Sequence, residues 1–120
     1  MTEKQDIGHR AEQIAADYLR ENGFFILDMN WRSGSKELDI VAEKDDMIHV
    51  VEVRSLTTAF FQQPYQTIGF AKQRNLLQAV NAYVERHKVS KEVQLDVISV
   101  VFSGANYKLE YLPNAIYPKV

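Results

Sequence analysis

Apolar side chains recur at helical intervals near the start of the chain. Ile7, Ala11, Ile14, Ala15, Tyr18 and Leu19 share one helix face. Asn22-Gly23 stops that helix, because glycine takes the left-handed cap conformation without a Cβ penalty. Phe24 to Met29 reads as a short buried strand, and Asn30-Trp31-Arg32-Ser33-Gly34-Ser35 as a loop by composition. Leu38 to Glu43 and Met47 to Leu56 form two more strands around Lys44-Asp45-Asp46, the pattern of a hairpin. Residues 57–65 look irregular, with Pro64 as a stop. A second helix follows from about Thr67 to His87, its apolar stripe being Leu76, Leu77, Val80, Tyr83, Val84 and His87. Val93 to Phe102 is the most β-branched stretch, and Ser103-Gly104-Ala105-Asn106 turns it into a last strand, Tyr107 to Leu112. Pro113 and Pro118 make the tail a surface extension. The order α-β-β-β-α-β-β predicts an α/β fold with one mixed central sheet flanked by helices.

Composition narrows the class. The chain has 120 residues, 46% hydrophobic and 25% charged, the proportions of an ordinary globular domain. With no repeat or linker, one domain is expected over 1–120, its core at about 7–112 and a C-terminal extension at 113–120. There is no cysteine, which removes disulfides, thiolate catalysis and cysteine zinc sites. No apolar run approaches the ~20 residues that span a bilayer. The opening Met-Thr-Glu-Lys-Gln-Asp lacks a secretory pattern, so a soluble cytoplasmic protein is the expectation. Net charge is −2, from 14 basic and 16 acidic side chains, which argues against a protein that coats nucleic acid. The charge is uneven, however. Residues 1–65 carry seven basic and twelve acidic groups, whereas 66–91 carry Lys72, Arg74, Arg86, Lys88 and Lys91 against Glu85 alone. That asymmetry suits a phosphate-binding surface beside a cation-binding one, and equally a solvated basic helix.

The hairpin yields a geometric argument. A two-residue Asp45-Asp46 loop, or a four-residue one, sets Asp39 across from Glu52 and Glu37 across from Arg54, all on one face. Leu38, Ile40, Ala42, Val51 and Val53 then fall on the opposite face, the natural core side. A three-residue loop breaks this register. Opposed carboxylates have Cβ atoms ~4.5–5.5 Å apart and repel. Such a pair is tolerated on an open polar face, with one acid protonated, or with a cation between them. Magnesium suits the last case, since it takes one or two protein carboxylates plus waters and phosphate oxygens.

Several segments occur together and in order: Gly8-His9-Arg10-Ala11-Glu12 before Ala15-Ala16-Asp17-Tyr18-Leu19, then Asn30-Trp31-Arg32, Glu37-Leu38-Asp39-Ile40-Val41-Ala42, Val50-Val51-Glu52-Val53-Arg54, Lys72-Gln73-Arg74 and Leu95-Asp96-Val97. Over roughly residues 7–102 the chain resembles the YraN-like family of small bacterial proteins. That family is similar to archaeal Holliday-junction resolvases and belongs to the restriction-endonuclease-like fold. The resemblance implies a metal-dependent endonuclease acting on DNA, branched or junction DNA included. It implies Mg²⁺ or Mn²⁺ on Asp39 and Glu52, the acids of a D-x(n)-E-x-K pattern, with Glu12 as the further acid from the first helix. Glu37 matches the glutamate of a Gly-Glu-x-Asp segment, with Lys36 in place of the glycine and Ala11 in place of the glycine before Glu12.

Arg54 stands where the nuclease pattern has lysine. A guanidinium stays protonated, so Arg54 carries only the electrostatic part of that lysine's role. Its ordinary alternative is an ion pair with Glu37. Lys72 is the candidate for the displaced ammonium, and a solvated surface lysine is the alternative. Arg32, Lys36, Lys72 and Arg74 are candidate phosphate contacts, with exposed loop or helix charge as the alternative. Trp31, Phe60 and Phe61 are candidates to stack on bases or to anchor loops. His49, opposite Ala42, reads as a satisfied or edge histidine, and Asp96 as an answer to a local hydrogen-bonding need. His9 and His87 lack partners at metal-ligand spacing. The competing class is a nuclease-fold module that binds nucleic acid or a protein partner with little turnover. A homodimer is expected by analogy with junction-cutting enzymes, which need two sites for two nicks.

Overall fold

The computed structural model describes residues 3–57 and 69–116. Helix α1 (Glu3–Glu21) leads into strands β1 (Phe25–Ser33), β2 (Lys36–Lys44) and β3 (Met47–Thr57). Helix α2 (Phe70–Arg86) and strands β4 (Val93–Ser103) and β5 (Asn106–Leu112) follow. This is the expected α-β-β-β-α-β-β order. The five strands lie side by side in chain order. All neighbours are antiparallel except β3 and β4, which run parallel over ten residue pairs from Ile48↔Val93 to Thr57↔Phe102. A parallel pair needs a crossover, and α2 lies within it. No helix among the described residues is long and apolar enough to cross a membrane.

Helices cover both faces of the sheet, which corrects the expectation of one core side. Ala11, Ala15, Ala16 and Leu19 of α1 pack on Ile40, Ala42, Val51, Ile98 and Val100. Leu76, Ala79, Val80 and Tyr83 of α2 pack on Leu38, Val41, Val50, Leu95 and Val97. Adjacent residues such as Val50 and Val51 therefore belong to different layers, and near-continuous apolar runs are what a doubly covered sheet demands.

Leu38 and Ile40 are two apart, yet they enter opposite layers. The same alternation is broken on the neighbouring strand. Asn30 has φ of 53°, a left-handed conformation that asparagine accepts more readily than most residues, and the β1–β2 ladder passes from Met29↔Ile40 to Trp31↔Leu38 around it. Trp31 accordingly joins the α2 layer and Met29 the α1 layer.

Two further expectations are corrected. Asn30 to Ser33 is strand rather than loop, because β2 supplies the hydrogen-bonding partner that composition conceals. The residues after β5 also return to the body of the protein. Ile116 is buried in the α2 layer, and Ala115 N–H donates to the Leu95 carbonyl at 3.0 Å. Phe60, Phe61, Pro64, Thr67 and Pro118 lie outside the described residues.

Candidate functional site

The β2–β3 turn is the two-residue Asp45-Asp46 loop, with φ of 53° and 62° at these residues, and Lys44 faces Met47. The ladder runs from that pair to Ile40↔Val51. Asp39 and Glu52 are the next residues on each strand, where the regular pairing ends. Asp39 Oδ2 accepts the backbone N–H of Val53 at 2.8 Å, so a carboxylate takes the place of a strand carbonyl. Glu52 lies on the α2 side and is only 4% exposed, and its Oε1 is 2.9 Å from Lys72 Nζ.

A cleft of about 390 Å³ opens at this point, lined by Lys36, Glu37, Asp39, Glu52, Lys72 and Asn75. Burial pushes Asp39 up to about 8, and the Glu52 carboxylate beside it adds to the shift; the Val53 N–H opposes both. Two acids therefore compete for one stretch of low-dielectric space. That is the predicament the hairpin register anticipates, and Lys72 relieves it from one side. Among the described residues no three His, Asp or Glu groups converge as a ready-made metal cage. The pair still fits a hard divalent cation, since it supplies buried oxygen donors whose mutual repulsion a cation would relieve.

The remaining expected residues fall around this centre at different removes. Glu12 lines an adjoining cleft with His9, Asn30 and Arg32, and Glu37 borders both clefts. Burial raises Glu12 above the ordinary glutamate range against a hydrogen bond from Asn30, and the charges of Glu37 and Glu52 add to the rise. Arg32 pairs with Glu37 at 3.5 Å, on the adjacent strand. Lys36 lines the acid cleft, at the start of β2. Arg54 is partly buried and follows Glu52 by two residues, on the same face of β3. Arg74 lies on the exposed side of α2, its guanidinium 5.4 Å from the Phe70 ring centre and outside the cleft lining.

Trp31 is a packing residue. Its ring meets Tyr83 edge-on at 5.1 Å, with Arg86 over it at 5.4 Å. His87 stacks on Tyr83 at 4.0 Å. Asp96 does answer a hydrogen-bonding need, taking His49, Gln94, Tyr111 and the Asn114 N–H within 2.8 Å. Sequence reasoning missed Asn75 and Asn30. Asn75 sits three residues after Lys72 on one helix face, a spacing that signals it. Asn30 was concealed by its loop-like surroundings.

The family model described as uncharacterised protein family UPF0102 matches residues 11–100. This chain belongs to UPF0102. A UPF0102 protein of Bacteroides thetaiotaomicron is 33% identical, the match covering 98% of each chain. One from Myxococcus xanthus is 36% identical over 94% of this chain and 90% of its own. One from Porphyromonas gingivalis is 37% identical over 96% and 87%. UPF0102 is the family reached by the ordered motifs around Glu12, Asp39 and Glu52.

Proposed function

We propose that this UPF0102 protein is a metal-dependent endonuclease that hydrolyses phosphodiester bonds in DNA, with Asp39 and Glu52 holding one Mg²⁺ or Mn²⁺. The observation that carries the reading is the buried Asp39–Glu52 pair where β2 and β3 part, with the Lys72 ammonium 2.9 Å from Glu52. A divalent cation supplies Lewis acidity toward phosphoryl oxygen and water. The chain's own groups do the rest. Lys72, its side chain half exposed, is free to move from Glu52 to a non-bridging phosphate oxygen as positive charge arrives at the pair. Arg54 contributes electrostatic stabilisation on the same face and no proton transfer. Glu12 is the third acid of the set. Lys36, Arg32 and Arg74 offer cations to flanking phosphates, which position the strand without reading its bases. Branched or junction DNA is the preferred substrate, and two copies acting together make the paired nicks a junction needs.

The test is incubation of the full chain with branched, nicked and single-stranded DNA in Mg²⁺ or Mn²⁺. Cleavage is expected with metal and lost in Asp39→Ala and Glu52→Ala; cleavage that survives Asp39→Ala overturns the site. Arg54 favours a second reading, a DNA-binding module without turnover. That reading expects binding in EDTA and no cleavage in any divalent metal.

A further inference from the structure

Beside the β2–β3 turn, on the α1 side of the sheet, lies another cleft of about 450 Å³, bordered by Asn22, Phe24, Lys44, Asp45, His49 and Gln94. It shares no lining residue with the Asp39–Glu52 cleft. The His49 side chain is nine-tenths buried, and its Nδ1 is 2.7 Å from Asp96 Oδ2. Asp96 also receives hydrogen bonds from Gln94 Nε2, the Tyr111 hydroxyl and the Asn114 N–H. A carboxylate loaded with donors remains an acceptor, so Nδ1 carries the proton. Nε2 is the ring nitrogen left without a hydrogen-bond partner among the described residues, and His49 borders the cleft.

The two amides are turned the same way. Asn22 Nδ2 donates to the Tyr18 carbonyl at 2.8 Å, and Gln94 Nε2 donates to Asp96 Oδ1 at 2.8 Å. Both partners are acceptors, so the amide nitrogens must face inward. Asn22 Oδ1 and Gln94 Oε1 are left as acceptors without partners among the described residues. Asp45 adds a carboxylate, and α1 ends here with the negative pole of its dipole. The aromatic wall already attracts a cation, because the Lys44 ammonium sits 4.9 Å from the Phe24 ring centre.

We propose that this cleft recognises the cationic nitrogen of a ligand, an alkylammonium or guanidinium group, through His49 Nε2, Asn22 Oδ1, Gln94 Oε1 and the Asp45 carboxylate. The incoming cation takes the place over Phe24 that Lys44 holds in its absence. Small polyamines and the arginine or lysine side chains of peptides offer the same chemistry. The site stands apart from the nuclease reading and does not depend on it.

The experiment is ¹H–¹⁵N NMR titration of the full chain with N-acetyl-arginine methylamide, its neutral citrulline counterpart, and spermidine. The arginine compound or spermidine is expected to shift the resonances of Asn22, Lys44, His49 and Gln94, and whichever binds more tightly identifies the source. The citrulline compound is expected to leave them in place. Lys44→Met removes the resident cation and should tighten binding several-fold, while His49→Phe should weaken it about tenfold by loss of an acceptor to a charged donor. Equal binding of the citrulline compound, unchanged affinity in Lys44→Met, or shifts confined to the Asp39–Glu52 cleft would each overturn the proposal. Lys44→Met alters a partly buried residue at the end of β2 and keeps its apolar stem, so its result stands even if His49→Phe fails to fold.

Discussion

Asp96 and Asp39 are both drawn into the same sheet, but their surroundings differ in kind. Asp96, fully buried, meets four hydrogen-bonding partners that tie together β3, β4, β5 and the segment after β5. Asp39 meets one backbone N–H and, beside it, a second acid. One carboxylate completes a network; the other is kept short of partners. A buried acid surrounded by donors serves the fold, whereas one pressed against a like charge stores an unmet demand for positive charge. The contrast separates a carboxylate that the fold satisfies from one that it does not.

The largest effect expected is on the structural side. Asp96→Ala strands His49, Tyr111, Gln94 and the Asn114 N–H in or near the core and should cost about 3–5 kcal/mol, since each buried donor left unsatisfied costs about 1–3 kcal/mol. Urea denaturation measures this, and a loss below ~1 kcal/mol would erase the distinction between the two sites.

The second prediction concerns pH. Folding raises Asp39 from an ordinary value of 3.8 to about 8, so the folded state binds the extra proton across that interval. Asp39 therefore favours folding below pH 3.8, and this contribution is lost as pH rises through about 8. Asp39→Asn keeps an oxygen for the Val53 N–H and removes the repulsion, so that stability component should vanish. Saturating Mn²⁺ should offset it in the wild type and leave Asp39→Asn unmoved. Melting curves across pH with and without Mn²⁺ read both, and a pH profile identical in wild type and Asp39→Asn would contradict the assignment.

The smallest effect belongs to Lys72. Its side chain is 48% exposed but Glu52 is 5% exposed, so Lys72→Gln, which keeps a donor for the buried carboxylate, should cost about 1–2 kcal/mol while weakening DNA cleavage far more. A stability loss comparable to that of Asp96→Ala would make Lys72 a structural counter-ion instead.

The apposition of Asp39 and Glu52 was legible because strand pairing propagates. Once Asp45-Asp46 forms a two-residue turn, the period of two carries the register outward to the acids. The contact between Lys72 and Glu52 was less accessible, since it depends on how α2 docks across the sheet. The crossing of Leu38 into the α2 layer was hidden altogether. It coincides with the left-handed Asn30 on the neighbouring strand, and a local pattern in β2 holds no trace of it. The same limit turned Asn30 to Ser33 into an apparent loop and Ile116 into part of a loose tail. In each case the stabilising partner lies far along the chain.

By itself, the amino-acid order determined the succession of elements, the hairpin and its register, and the meeting of two acids at one place. These follow from short-range steric preference and from periodicity, which act within a few residues. Tertiary structure decided that both faces of the sheet are covered, that Asp39 turns to the Val53 N–H, and that Lys72 reaches Glu52. It also decided that Asp96 becomes a hub while Asp39 remains under strain of charge. Those outcomes depend on solvent exclusion and on donors brought from distant segments, quantities that exist only once the layers have packed.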